Sequence, residues 1–372
     1  MPLLDSITIK GFKSIASVEN LPLRPINLLI GANGSGKSNF LEVFQFLRAV
    51  TSDRLANYVE ASGGANRLLH FGAKKTAELL FELRNSASSP PLEFIFRFGL
   101  AHGDQLGNLA SDSDPVIIPK ERQLRIFEHI LKDSSKDGTE DYRVNSPPYQ
   151  ALFDKLQVCR FHDTSTSSPL KSVNGIEDNR SLRPDGSNLA AFLYLLRERH
   201  RSSYDEIRDT VRRVAPFFDD FNLSPRALNP DTILLEWKHR GSDGCWNASD
   251  FPDGTLRFVA LVTLLLQPKE LRPALILIDE PELGLHPFAI QLLGGIMRSV
   301  SVHSQIIAAT QSPQLVDCFE PQDILVAERV DGATQFIRPD AERLKAWLED
   351  YSLGELWQKN EIGGQPVPEQ AA

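Results

Sequence analysis

Apolar runs of two periods alternate along the chain, separated by glycine, proline and small polar residues. The run "INLLI" at 26–30 is apolar at nearly every position, as expected for a strand covered on both faces, and "ALILI" at 274–278 has the same character. "TAELLFEL" at 76–83 and "LEFIFRFGL" at 92–100 also read as strands, and "DILVAERV" with "ATQFIRP" reads as a terminal hairpin. Helical spacing takes over in "FLEVFQFL" at 40–47. A second helix, apolar nearly all round through Leu256, Val259, Ala260 and Leu264, starts at Asp253 and Gly254 and stops before Pro268. Helices are also expected from Leu189 to about His200, with Asn188 as N-cap, and from Tyr204 to Val214, ended by Pro216. The stretch "AERLKAWLEDYSLGELW" at 341–357 predicts a closing helix with Leu344, Trp347 and Leu348 on one face, followed by a loose tail from Gly363.

Composition narrows this α/β pattern. At 372 residues, 41% hydrophobic and 24% charged, the chain has the make-up of a soluble globular protein with room for about two domains. Its longest apolar stretch, "FVALVTLLL" at 258–266, is far short of the ~20 residues of a membrane span. With no basic and apolar leader, the expected location is cytoplasmic and no membrane partner is expected. Cys159, Cys245 and Cys318 are widely separated and lack metal-ligand spacing, so they imply neither a disulfide framework nor a zinc site. The net charge of −9 argues against a chain coated with nucleic-acid-binding surface, though a local basic strip could still meet phosphate.

Chemistry concentrates at two strand ends. "GANGSGKSN" at 31–39 fits GxxxxGK[ST], with Gly31, Gly36, Lys37 and Ser38 on the fixed positions and a strand before and a helix after it. Glycines at 34 and 36 free the backbone so that amides and a helix N-terminus can face an anion. Gly31, Asn33, Gly34, Ser35, Gly36, Lys37, Ser38 and Asn39 are therefore the candidate nucleotide-binding set, with Lys37 for the β and γ phosphates and Ser38 for Mg²⁺. Asp279 and Glu280 emerge at the end of the second buried strand, where open α/β sheets place their ligands. Two carboxylates there can divide the work, Asp279 orienting the Mg²⁺ shell and Glu280 acting as general base toward water.

In order along the chain, these segments resemble the ABC-type ATPases of the SMC, RecF and OLD branch, also described as AAA-family or RecF-like ATPases. "ITIKGFKSI" at 7–15 resembles the opening strand and adenine-side loop, "GANGSGKSN" the Walker A, "FPDGTLRF" the signature motif, "LILIDEPELGLHP" the Walker B with its catalytic glutamate, and "IIAATQSPQLVD" at 306–317 the switch segment. The resemblance covers residues 1–84 and 245–330 and implies a P-loop NTPase of α/β class, an ABC-type ATPase head with a mixed β N-lobe and a helical insertion. It further implies ATP and Mg²⁺ as ligands, catalytic roles for Lys37, Glu280 and Gln311, and a head-to-head dimer in which Asp253 and Gly254 contact the partner's nucleotide. Two departures stand out. Pro252 takes the place of a serine before the signature Asp-Gly, removing a hydroxyl and an N–H. Gln311 replaces the switch histidine and cannot carry a proton at neutral pH, so slow turnover is expected. No glutamine loop is evident, although "LLHFGAKK" at 68–75 occupies a plausible place.

The expected organisation is a head in two sequence pieces, 1–84 and 245–338, around an insertion at 85–244, with terminal helices and a tail at 339–372. Polar, turn-rich stretches fill 85–120, 133–148 and 163–188. SMC-type arms need many heptads, and none is present. Arg197, Arg199, His200, Arg201, Arg208, Arg212 and Arg213 concentrate positive charge in the insertion, either as a solvated face or as a surface for DNA or another partner. The C-terminal part is too short for a TOPRIM nuclease domain like that fused to OLD-family ATPases, so a nuclease effector would be a separate chain. The expectation is an ATP-driven switch in DNA maintenance or antiphage defence. The alternatives are the nucleotide-binding subunit of a transporter and a nucleotide-gated scaffold with little turnover.

Overall fold

The computed structural model describes residues 3–52, 54–85, 92–100, 124–133, 153 and 156–365. The chain divides into two units, residues 1–156 with 320–372 and residues 157–319. Much of 85–120, all of 134–148 and the tail beyond residue 365 lie outside the described residues, and so do the expectations placed there.

The first unit holds an antiparallel sheet in the order β2-β1-β4-β5-β6, built from β1 (Ser6–Phe12), β2 (Ile15–Pro22), β4 (Glu78–Asn85), β5 (Leu92–Leu100) and β6 (Leu124–Asp133). In β4 the residues Leu79, Phe81 and Leu83 are buried at a period of two, so this strand turns one face to the core. The helices α1 (Lys37–Thr51) and α2 (Leu55–Ala61) complete that core. Phe46 of α1 meets Phe81 at 5.5 Å, Phe98 at 5.0 Å, Phe12 at 5.8 Å and Tyr58 at 5.8 Å between ring centroids. Edge and tilted contacts of this kind add to the stabilisation from area burial.

The strand before the phosphate loop, β3 (Ile26–Ile30), is buried at all five positions, as its unbroken apolar run predicts. It pairs in parallel with β16 (Ile324–Val330), which forms the expected hairpin with β17 (Ala333–Ile337). Asn27 is fully buried in β3, yet its side chain accepts from the Arg24 amide and from Arg338 and donates to the Arg24 carbonyl, so the polar group is satisfied. The closing helix does not run unbroken. It splits into α8 (Ala341–Leu344), a 3₁₀ turn at Trp347–Glu349 and α9 (Leu353–Gln358). Ser352 restarts the helix through a capping box with Glu355, so Leu344 is buried while Trp347 is 46% exposed. The first residues of the expected loose tail are tied down, the Gly364 amide donating to Glu328 Oε1 at 2.8 Å.

The second unit contains β7 (Leu156–Cys159), β14 (Leu275–Asp279) and β15 (Gln305–Ala309), in the order β15-β14-β7. β14 and β15 run parallel, Leu275 opposite Gln305 through Asp279 opposite Ala309. Helices α3 (Leu189–Arg199), α4 (Arg201–Val214), α5 (Asp253–Leu266), α6 (Pro287–Ser301) and α7 (Pro313–Val316) pack with them. α5 is buried from Leu256 to Leu265, matching its all-round apolar pattern, with α4 and α6 against it. Two small sheets fill the rest, β8 (Asn174–Gly175), β10 (Pro225–Arg226) and β11 (Asn229–Ile233) in one, and β9 (Phe218–Asn222), β12 (Glu236–His239) and β13 (Cys245–Asn247) in the other. Asn188 stands at the N-cap of α3, but its side chain does not cap; it accepts from the Arg183 amide and donates to the carbonyls of Asp178 and Ser181. Stitching the preceding loop satisfies this fully buried amide better than one exposed helix donor would. Among the described residues the longest helices span 15 residues, and no helix is long and apolar enough to cross a membrane.

Phe46→Ala is expected to cost about 3–5 kcal/mol, because the emptied site is lined by four rings that cannot all collapse into it. Urea unfolding followed by tryptophan fluorescence checks this. Exposed Phe71, changed to Ala, should shift the midpoint little.

Candidate functional site

The phosphate loop leaves β3 and turns directly into α1, with Asn33, Gly34 and Ser38 exposed, Asn39 half-buried, and Ser35, Gly36 and Lys37 buried. Gly36 is the N-cap of α1 at φ 106°, in the left-handed region, and no side chain caps the helix. A Cβ at this position would collide with the Thr334 and Ser14 hydroxyls. Those two hydroxyls hydrogen bond to each other at 2.7 Å, Thr334 also donates to the Ser35 carbonyl at 2.8 Å, and Asn39 Nδ2 donates to Ser14 Oγ at 2.7 Å. The turn between β1 and β2 and the β16–β17 hairpin thus hold the loop from behind, through partners far away in sequence.

Lys37 is 7% exposed, and its ammonium donates to the carbonyls of Gly31 at 2.6 Å and Ala32 at 2.9 Å. The Ser35 Oγ is buried without a hydrogen-bond partner. A cradle too tight for a Cβ, an uncapped helix N-terminus and a buried ammonium make a site for an anion of phosphate type. The Ser38 hydroxyl and the Asp279 carboxylate are hard oxygen donors of the kind Mg²⁺ takes.

In the second unit the acid pair closes β14. Asp279 and Glu280 are half-buried, and Glu280 is held at φ 42°, an unusual conformation for a residue with a Cβ. Its amide donates to the Ala309 carbonyl at 2.8 Å, which ties the end of β14 to the end of β15. Gln311 Nε2 donates to Glu280 Oε1 at 2.5 Å, so the structure brings these two expected catalytic residues together. The Gln311 amide in turn donates to Glu282 Oε1 at 2.9 Å.

Glu282, His162 and Arg257 are site residues that sequence reasoning did not single out. Burial pushes the Glu282 carboxyl above the usual carboxylate range, against hydrogen bonds from the Gln311 amide and the Thr310 hydroxyl, and its Oε2 is buried without a partner. Burial pushes the His162 imidazole below its usual range, and the Asp279 and Glu280 charges pull the other way. Arg257, 6% exposed on α5, donates to the Phe161 carbonyl at 2.9 Å, to the His162 carbonyl at 2.6 Å and to the Leu283 carbonyl. Only the position of Glu282, two residues beyond Glu280, gives any signal in the sequence. The other two are brought in by the fold.

α5 begins at Asp253 with Pro252 as N-cap and no side-chain cap; Asp253 is exposed and Gly254 half-buried. A Cβ at Gly254 would collide with the Gly284 carbonyl, so glycine is needed for this helix to seat on the loop after Glu280. Four of the six arginines of α3 and α4 are engaged locally. Arg197 pairs with Glu198, Arg201 with Asp205, Arg208 with Asp205 and Asp209, and Arg212 with Asp209 and Asp219. Across residues 189–222 six arginines face six carboxylates in the sequence, so this stretch carries little net charge toward phosphate.

Comparison with known proteins agrees with this geometry. The family described as "AAA domain, putative AbiEii toxin, Type IV TA system" matches residues 26–317. Among solved structures, the SMC head bound to the C-terminal winged-helix domain of ScpA is similar at a TM-score of 0.61 and 14% identity, over 93% of this chain and 100% of that one. The SMC head domain from Thermotoga maritima gives 0.51 and 11%, over 91% and 100%. The Smc head domain with an extended coiled coil, bound to the C-terminal domain of ScpA and derived from Pyrococcus furiosus, gives 0.58 and 14%, over 94% and 99%. No curated protein matches the chain. The chain belongs to the AAA-domain family of the putative AbiEii toxin, and its α/β fold is that of a P-loop, ABC-type ATPase head of the SMC and RecF kind without a long coiled coil among the described residues.

Proposed function

We propose that this ATPase head is a switch that binds ATP, dimerises on it and hydrolyses it slowly, in the service of a separately encoded effector. The observation that carries the reading is the phosphate loop, where Lys37 is already buried and desolvated and α1 presents uncapped amides. Lys37 exchanges the Gly31 and Ala32 carbonyls for the β and γ phosphates, with Asn33, Gly34, Ser35, Gly36 and Asn39 shaping the cradle around them. Ser38 and Asp279 would hold Mg²⁺, which would neutralise phosphate charge when bound. Glu280 takes the proton from water at its carboxylate, and Gln311 orients that carboxylate without accepting a proton itself. A switch residue that cannot relay a proton supports slow turnover.

Dimerisation through Asp253 and Gly254 of one head on the nucleotide of its partner is supported by the exposure of Asp253 beside half-buried Gly254 at the uncapped N-terminus of α5. The proposed setting is DNA maintenance or antiphage defence. Two of the similar SMC heads are bound to ScpA, which supports a separate protein partner, such as a nuclease or TOPRIM-like effector. DNA is a further candidate partner, tested by whether it stimulates hydrolysis, and the cytoplasm is the proposed location.

Lys37→Ala is expected to weaken ATP binding on the order of 100-fold, since it removes at least two charge-assisted hydrogen bonds. Titration with a fluorescent ATP analogue measures this, and unchanged affinity in a folded variant would refute the assignment. Glu280→Gln should keep ATP binding, lower hydrolysis at least 100-fold and trap a dimer with ATP and Mg²⁺. Light scattering with and without nucleotide, beside the hydrolysis rate, checks both parts; a wild-type rate removes Glu280 as base, and an unmoved mass removes the dimer.

A further inference from the structure

We infer that Glu282 is a positioning residue for hydrolysis, acting through Gln311 on Glu280. The inference rests on the proposed role of Glu280 as general base and extends it to a residue outside the motif's recognised acid pair. Three hydrogen bonds cross between the chain after β14 and the chain after β15. The Glu280 amide donates to the Ala309 carbonyl, the Gln311 amide donates to Glu282 Oε1, and Gln311 Nε2 donates to Glu280 Oε1. The first fixes the strained backbone of Glu280. The other two form a relay that begins at Glu282 and ends on the carboxylate oxygen of the base.

A glutamine side chain has three rotatable bonds, so on its own it holds a carboxylate loosely. Its reach becomes defined only when its backbone is fixed, and the Glu282 carboxylate fixes it at the residue itself. Thr310, next to Gln311, is itself engaged, its hydroxyl oxygen accepting from the Ser312 amide at 3.0 Å. Glu282 bears the cost, being largely desolvated with Oε2 unpartnered. A carboxylate contributing only to packing would be replaced at no loss by an apolar side chain; one that anchors Gln311 would not.

The test compares Glu282→Ala, Glu282→Gln, Gln311→Ala and the Glu282→Ala, Gln311→Ala double variant, with steady-state kcat and KM and separate ATP-analogue affinity for each. Glu282→Ala should lower kcat tenfold or more and leave analogue affinity within threefold of wild type. Glu282→Gln, whose amide oxygen still accepts the Gln311 N–H, should recover most of that loss. The double variant should be no slower than the slower single variant, because both changes sever one relay. Multiplying effects, equal loss in the glutamine and alanine variants, or a loss confined to nucleotide affinity would each overturn the inference while leaving Glu280 as base. Glu280→Gln, assayed alongside, separates the two levels; if it hydrolyses ATP at the wild-type rate, the general base and this relay fall together.

Discussion

A buried ammonium has to be solvated by the protein, and in this chain the Lys37 ammonium is solvated by the carbonyls at the start of its own loop. The first unit is arranged around that requirement. β3 must be buried to deliver Gly31 to the right place, Gly36 must adopt a left-handed conformation to turn the chain into α1, and Ser14 and Thr334 must close behind it. Each of these residues belongs to a different part of the sequence. The lysine is therefore already desolvated and held by a network drawn from several parts of the chain.

A comparable economy governs the second unit. Parallel pairing of β14 with β15 in register puts Asp279 opposite Ala309, so the residues that follow, 280–282 and 310–312, leave the sheet side by side. Hydrogen bonds between the two exits then lock the carboxylate of Glu280 to the amide of Gln311. Arg257 ties α5 to the loops that contain His162 and Leu283, and Gly254 lets α5 approach the Gly284 carbonyl. α5 is consequently in contact with the loop just beyond the acid pair, and a shift at one must be felt at the other.

The insertion illustrates how neighbouring carboxylates qualify a charge pattern. Seven basic residues in about twenty suggest a surface for phosphate, but neighbouring carboxylates on the same helix and on β9 engage Arg201, Arg208 and Arg212. Exposed pairs of this kind add little stability.

By itself the sequence determined the elements whose signals are local. The unbroken apolar run of β3, the glycines of the phosphate loop, the all-round apolar α5, and Asp279 and Glu280 at the end of a buried strand all follow from residues adjacent in the chain. A capping serine was enough to break the expected closing helix, because Ser352 and Glu355 offered its backbone a better start than the apolar stripe did. What only the tertiary structure decided are the partners brought from far away: Thr334 and Ser14 behind Gly36, Gln311 and then Glu282 beside Glu280, and Arg257 joining α5 to the loops of His162 and Leu283. The physical reason is that a turn or a helix is set by forces acting over a few residues, whereas a hydrogen bond between strand ends exists only after the sheet has chosen its order and register.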